Sequence, residues 1–175
     1  MLLVGGASTR FGSPKALARF RGETLAERAW RLLGEACDER LAVGKASDGL
    51  ALPFPLVEDA SEERAPLAGI VAGLWAASHD VCVVLPVDCA AVTEEALHEL
   101  GDACELAAAS QTGPLPAAFA RGALPVLERR LAAGELRLRD ALRELRARVV
   151  ELDQTQLANA NTPAELAAIE RAGAA

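Results

Sequence analysis

Paired cysteines, metal-spaced histidines, membrane-length apolar runs and an excess of positive charge are all missing from this 175-residue chain. Its four cysteines, Cys37, Cys82, Cys89 and Cys104, are scattered without the spacing of a disulfide framework, and a chain of this length has core enough without cross-links. They read as reduced thiols, with Cys82 in the core. The two histidines, His79 and His98, are not at ligand spacing and Cys89 has no neighbouring Cys or His, so no structural zinc is expected. Without a local histidine to activate it, Cys89 fits a small apolar wall better than a nucleophile. The apolar run Val81 to Val87 stops at Asp88, too short for a bilayer, and no basic-then-apolar leader opens the sequence. A soluble, cytoplasmic protein is expected. The net charge of -7 argues against nucleic acid or an anionic membrane as the general partner. Any anionic ligand must therefore meet local positive charge.

What is present is a core-forming composition, 51% hydrophobic, with strands and helices in alternation. Leu2 to Val4, Leu41 to Val43, Pro55 to Val57 and Val81 to Val87 read as strands, the last central and covered on both faces. Leu106 to Ala109, Pro116 to Phe119 and Val149 to Leu152 add shorter ones. Thr24 and Glu27 form a capping box ahead of an amphipathic helix carrying Leu25, Ala29, Leu32, Leu33 and Ala36. Pro66 starts a small-residue helix through Trp75, Thr93 caps one through Leu100, and Ala123 to Ala133 and Leu138 to Ala147 read as helical. Thr162, Pro163 and Glu165 open a last helix. The alternation implies one α/β domain over residues 1–175, a mostly parallel, doubly wound, Rossmann-like sheet. Ligands of such sheets bind beyond the carboxyl ends of strands, near a topological switch point. Gly5-Gly6, Asp59 and Asp88 follow strands and meet that condition.

The opening segment LLVGGASTRFGSPKA has the character of a triphosphate cradle. Gly5, Gly6 and Gly12 let backbone N–H groups approach phosphate oxygens, and Arg10 and Lys15 supply positive charge in the same loop. A P-loop is excluded, because Ser13 and Pro14 separate Gly12 from Lys15 and Ala16 follows. A dinucleotide fingerprint fails for lack of the glycine triplet. Asp88, ending the strongest strand, is the candidate ligand for Mg²⁺ shared with substrate phosphates, or else a residue that caps the turn toward Thr93. Asp59 lies among Glu58, Glu62 and Glu63, a setting equally suited to an exposed loop and to a ligand contact. Seven arginines between Arg129 and Arg148 interleave with Glu128, Glu135, Asp140 and Glu144, the pattern of ion pairs on a solvated helical face.

These segments together resemble a molybdenum cofactor guanylyltransferase, the MobA-like branch of the GT-A-type nucleotidyltransferases. The resemblance rests on GGASTRFGSPKAL, VEDA at Val57 to Ala60, APLAGIVAGL at Ala65 to Leu74, LPVDCA at Leu85 to Ala90, GPLPAAF at Gly113 to Phe119, GELRLRDAL at Gly134 to Leu142 and NANTPAEL at Asn159 to Leu166. The first motif is shared with other nucleotidyltransferases, and Asp88-Cys89 with Asn159-x-Asn161-Thr-Pro points to this branch. The chain departs from the pattern at Val4, Phe11 and Ala90, and Gly44-Lys45-Ala46 stands where the family often has a nucleotide-binding asparagine.

The resemblance implies a GT-A-type nucleotide-diphospho-sugar transferase fold and an Mg²⁺-dependent enzyme. It would move GMP from GTP to molybdenum-bound molybdopterin, with release of pyrophosphate. It implies that Leu3, Val4, Gly5 and Gly6 contact the nucleotide, that Lys15 binds its phosphates, that Asp59 contributes to GTP binding and that Asp88 binds both GTP and Mg²⁺. Arg10, Lys15 and Asp88 would be the catalytic set, and Asn159 and Asn161 would hold the second substrate or the metal. A protein that delivers the pterin or receives the product is an implied partner. The alternatives are a cytidylyltransferase of the same pathway, a sugar-phosphate nucleotidyltransferase, and a non-catalytic nucleotide-binding subunit.

Overall fold

The computed structural model describes residues 1–5 and 14–172. From the amino terminus, β1 (Leu2–Leu3) is followed by a 3-10 turn at Lys15–Leu17 and a hairpin of β2 (Arg19–Phe20) and β3 (Glu23–Thr24). The chain continues through α1 (Leu25–Ala36), β4 (Ala42–Gly44), a 3-10 turn at Ala46–Asp48, β5 (Leu56–Glu58), α2 (Pro66–Ala76) and β6 (Val81–Pro86). Next come α3 (Glu94–Asp102), β7 (Ala107–Ser110), β8 (Ala117–Ala120), α4 (Leu124–Ala132), α5 (Leu138–Glu144), β9 (Arg148–Val150) and α6 (Pro163–Ala172).

Among the described residues one seven-stranded sheet has the order β5-β4-β1-β6-β8-β7-β9, with β6 at its centre as its branched apolar run predicts. β5, β4, β1 and β6 are all parallel, and so are β7 and β9. β8 runs against both of its neighbours. The short connection 111–116 between β7 and β8 permits only a return in the opposite direction, since a parallel crossover needs a dozen residues or more. The chain moves outward from β1 to β4 and β5, then returns to β6 on the other side of β1. The switch point therefore lies between β1 and β6.

The two-residue period of the strands divides the core between the faces. Leu2, Val83 and Leu85 pack with Leu25, Leu33, Leu97 and Leu100 on one side, and Leu3, Cys82 and Val84 with Leu67, Ile70, Leu74 and Leu127 on the other. Each such leucine contributes about 1.5–3 kcal/mol on burial. α2 presses closely on the sheet because Gly69 and Gly73 face it: a Cβ on Gly69 would lie 3.1 Å from Leu3 Cδ2, and one on Gly73 would collide with the Met1 side chain. The capping box of α1 forms as expected, with Glu27 N–H donating to Thr24 Oγ1 at 3.1 Å and Thr24 N–H to Glu27 Oε2 at 2.8 Å.

Several local features differ from the sequence expectation. The β2–β3 hairpin closes on Arg21 (φ 51) and Gly22 (φ 90), both in the left-handed region that a two-residue hairpin turn demands. The helix expected to reach Ala147 ends at Glu144, where Arg146 adopts φ 52. The arginine stretch is not wholly a solvated face either. Arg130 is buried and pairs with Glu135 and Glu144 at 3.1 Å each, pinning α4 to the end of α5. No helix among the described residues is long and apolar enough to cross a membrane.

Candidate functional site at the carboxyl ends of the parallel strands

The common carboxyl edge of β5, β4, β1 and β6 presents, in that order, Asp59, Lys45, Gly5 and Asp88. A cavity of about 370 Å³ opens over this edge, within the size range of small-molecule sites. A second hollow of about 360 Å³ lies around Met1, Cys37, His79 and His98, at the amino ends of β1 and β6. Among the described residues no group of His, Cys, Asp or Glu there or elsewhere could by itself hold a metal ion. The first cavity sets Lys15, Lys45 and Arg64 against its aspartates, whereas the second is lined by the acids Asp38, Glu39, Asp80 and Asp102, so an anionic ligand selects the first.

At the β6 end, Lys15 Nζ donates to Asp88 Oδ2 at 3.0 Å and to Asn161 Oδ1 at 3.1 Å. Two distant parts of the chain meet to make this contact. The 3-10 turn that opens at Lys15 is anchored by buried Ala16 and followed directly by the hairpin, while Asp88 follows the last residues of β6. The tail segment before α6 braces both. Ala160 N–H donates to the Asp88 carbonyl at 3.0 Å, Cys89 Sγ–H donates to Asn159 Oδ1 at 3.1 Å, and Glu165 Oε2 accepts the Asn161 N–H at 2.7 Å. Thr162 caps α6 by accepting the Glu165 N–H at 3.2 Å, so the helix start read from the sequence also holds Asn161. Burial raises the Cys89 thiol well above its ordinary range, the Asp88 carboxylate adds to that, and Lys15 opposes it. Cys89 is therefore a protonated donor in the wall, which agrees with its reading as a wall residue.

The β4–β5 end is built differently. Lys45 Nζ lies 3.3 Å from Asp59 Oδ2, donates to the Asp59 carbonyl at 3.2 Å and to the Ser61 carbonyl, while Asp59 Oδ1 accepts the Ser61 N–H at 3.0 Å. Asp59 is buried, 7% exposed, so the exposed-loop alternative for this acidic stretch does not hold. Across the mouth Arg64 Nη1 donates to Asp48 Oδ1 at 2.8 Å. Between the two ends the lining is apolar or bare backbone, with Leu3, Val43, Pro66 and Gly69 beside Gly5 and Gly44. Gly44 is needed here, because a Cβ would stand 2.8 Å from Val4 Cγ2 and 3.7 Å from Gly5 N.

Of the residues singled out by sequence, Leu3, Val4, Gly5, Lys15, Asp59, Asp88 and Asn159 line this one cavity, and Asn161 reaches it through Lys15. Gly6, Arg10 and Gly12 lie outside the described residues. Lys45, Asp48 and Arg64 line the cavity without any assignment from the sequence. Lys45 stood out only as a departure from the expected pattern, and Asp48 and Arg64 carry no motif.

Residues 1–150 match the family model of the MobA-like NTP transferase domain. The chain is 34% identical over 101 residues to a protein of Bacillus cereus strain Q1 named a probable molybdenum cofactor guanylyltransferase, and 32% identical to a Bacillus mycoides protein of the same name. Each alignment covers 54% of this chain, and the chain spans about half, 50%, of the length of these curated relatives. Among solved structures, molybdopterin-guanine dinucleotide biosynthesis protein A from Archaeoglobus fulgidus superimposes with a TM-score of 0.78 at 26% identity, covering 99% of this chain and 97% of that one. A 2-C-methyl-D-erythritol 4-phosphate cytidylyltransferase from Thermus thermophilus shares the fold, with a TM-score of 0.71 at 17% identity, covering 100% of this chain and 98% of its own. With the glycine-edged cavity and its Lys15–Asp88 pair already in view, these matches establish that the chain belongs to the MobA-like NTP transferase family.

Proposed function

We propose that this protein transfers GMP from GTP to the terminal phosphate of molybdenum-bound molybdopterin, releasing pyrophosphate. The observation that carries this reading is the meeting of Lys15 with Asp88 over the switch point, inside a cavity of about 370 Å³. The relatives' names supply the guanine and the pterin.

An acceptor phosphate oxygen attacks the α-phosphorus, a new P–O bond forms, the bond to the β-phosphate bridging oxygen breaks, and pyrophosphate carries away that electron pair. The attacking oxygen is already ionised near neutrality, so the step needs no dedicated base. Lys15 holds the anionic oxygens and meets the charge that gathers on the leaving pyrophosphate, and Arg10 shares that work. The backbone of Leu3, Val4, Gly5 and Gly6 lies against the nucleotide, Asp59 shapes the base end, and Asn159 and Asn161 stand on the side where the second substrate enters.

Asp88 is the residue that would hold Mg²⁺. One of its oxygens is committed to Lys15, the other has no partner among the described residues, and a hard cation with few protein ligands suits a single carboxylate completed by phosphate and water. When bound, such an ion neutralises charge at the reacting phosphate.

Incubation of the purified protein with GTP, Mg²⁺ and molybdopterin, with CTP in a parallel reaction, tests the proposal. Pyrophosphate release from GTP that depends on the pterin is expected. Preference for CTP would overturn the guanine assignment, and nucleotide binding with no pyrophosphate release would overturn the catalytic one.

A further inference from the structure

We propose that Asp48 reads the base of the bound nucleotide, accepting a hydrogen bond from its amino-bearing edge, with Arg64 holding the carboxylate in place. This inference rests on the reading of the protein as a user of GTP and names the residue that makes the choice.

The phosphates occupy the β6 end, where Lys15 sits. β4 is two strands away from β6, about 10 Å at ordinary strand spacing, which is the reach from phosphate to base in a nucleotide. The base therefore lies over β4 and β1, where Gly5, Gly44, Pro66 and Gly69 leave a flat apolar slot. Two carboxylates border that slot, and their hydrogen bonding separates them. Asp59 is committed internally, with Oδ1 taken by the Ser61 N–H and Oδ2 by Lys45. Asp48 gives only Oδ1 to Arg64, and its Oδ2 has no partner among the described residues. That oxygen stands 3.6 Å from the position a Cβ on Gly5 would take, so it lies over bare backbone at the mouth of the slot. The Asp48 side chain is 17% exposed, and the turn carrying it follows β4 directly.

The chemistry that fits such an oxygen is an amino donor. Guanine carries an exocyclic amino group beside N1–H, and the Asp48 Oδ2 that Arg64 leaves open accepts from that amino group more strongly than a neutral oxygen does. Arg64 fixes the direction of the carboxylate, so the base meets an acceptor already in position. A base without the amino group leaves the Asp48 oxygen short of one donor.

The test compares binding of GTP, ITP and CTP to the full chain and to Asp48→Ala and Asp48→Asn, with inorganic pyrophosphate as a probe of the other end. ITP differs from GTP only by the missing amino group. The native protein should bind GTP about 10- to 100-fold tighter than ITP, the range for a hydrogen bond to a charged group. In Asp48→Ala the two affinities should converge, and Asp48→Asn, which preserves shape, should fall between. Pyrophosphate affinity should change by less than about twofold in both, since distant sites act independently. A native GTP-to-ITP ratio that survives in Asp48→Ala overturns the role of Asp48. Preference of the native protein for CTP overturns the guanine reading itself, and this is seen without any variant.

Discussion

The two ends of the cavity are held by opposite means. At the β6 end Lys15 and Asp88 come from parts of the chain far apart, and Lys15 divides its ammonium between Asp88 and Asn161. At the β4–β5 end Lys45 and Asp59 are 12% and 8% exposed and tied further to the backbone of Ser61, so this wall is already set before any ligand arrives. On the proposed function, charge for the reaction and shape for recognition fall on separate strands: the β6 end would do the chemistry with groups that exchange partners, and the β4–β5 end would recognise the nucleotide with groups held fixed.

The sharpest way to break this comparison is to remove the exchangeable charge. Lys15→Ala should lower turnover with GTP by about 100- to 1000-fold, the range for loss of a group that stabilises charge in the transition state. Pyrophosphate release under saturating GTP measures it. Because the Lys15 and Asp88 side chains are only 15% and 25% exposed and Lys15 also bonds Asn161, a modest fall in melting temperature should accompany the loss of turnover.

A smaller effect is expected from disturbing the fixed end. Gly44→Val puts a Cβ 2.8 Å from Val4 Cγ2 and a branched side chain over Gly5. Overpacking of this kind costs about 1–3 kcal/mol, a fall in melting temperature of about 2–12 °C for a chain of this size. The KM for GTP should rise with kcat nearly unchanged, the reverse of the Lys15→Ala pattern. A change of kcat alone would mean that the two ends are not separable.

The same division decided what could be read from the sequence. Lys15 and Asp88 were legible because a charged residue in a glycine-rich loop and an acid ending a long apolar strand are each uncommon, and the sheet rule brings them together. The helix starts at Thr24 and Thr162 were legible through capping chemistry, and β6 through its run of branched residues. Lys45, Asp48 and Arg64 were not, because single charges after short strands look like any solvated surface until the fold shows which way they face. Asp59 shows the limit most clearly. Its acidic neighbours suggest an exposed loop, yet its own carboxylate is buried by a lysine fourteen positions earlier. The antiparallel course of β8 was equally hidden, since AAFA carries no directional signal and only the shortness of the preceding loop sets it.

A crystal structure of the protein with GTP and Mg²⁺ tests most directly whether one nucleotide bridges these two ends. The account predicts phosphate oxygens within hydrogen-bond distance of Lys15 Nζ, Asp88 beside the metal, and the guanine ring over Gly5 and Gly44 with its amino edge toward Asp48. Phosphates bound away from Lys15, or a base seated beyond β6 with the β4 slot empty, would contradict it.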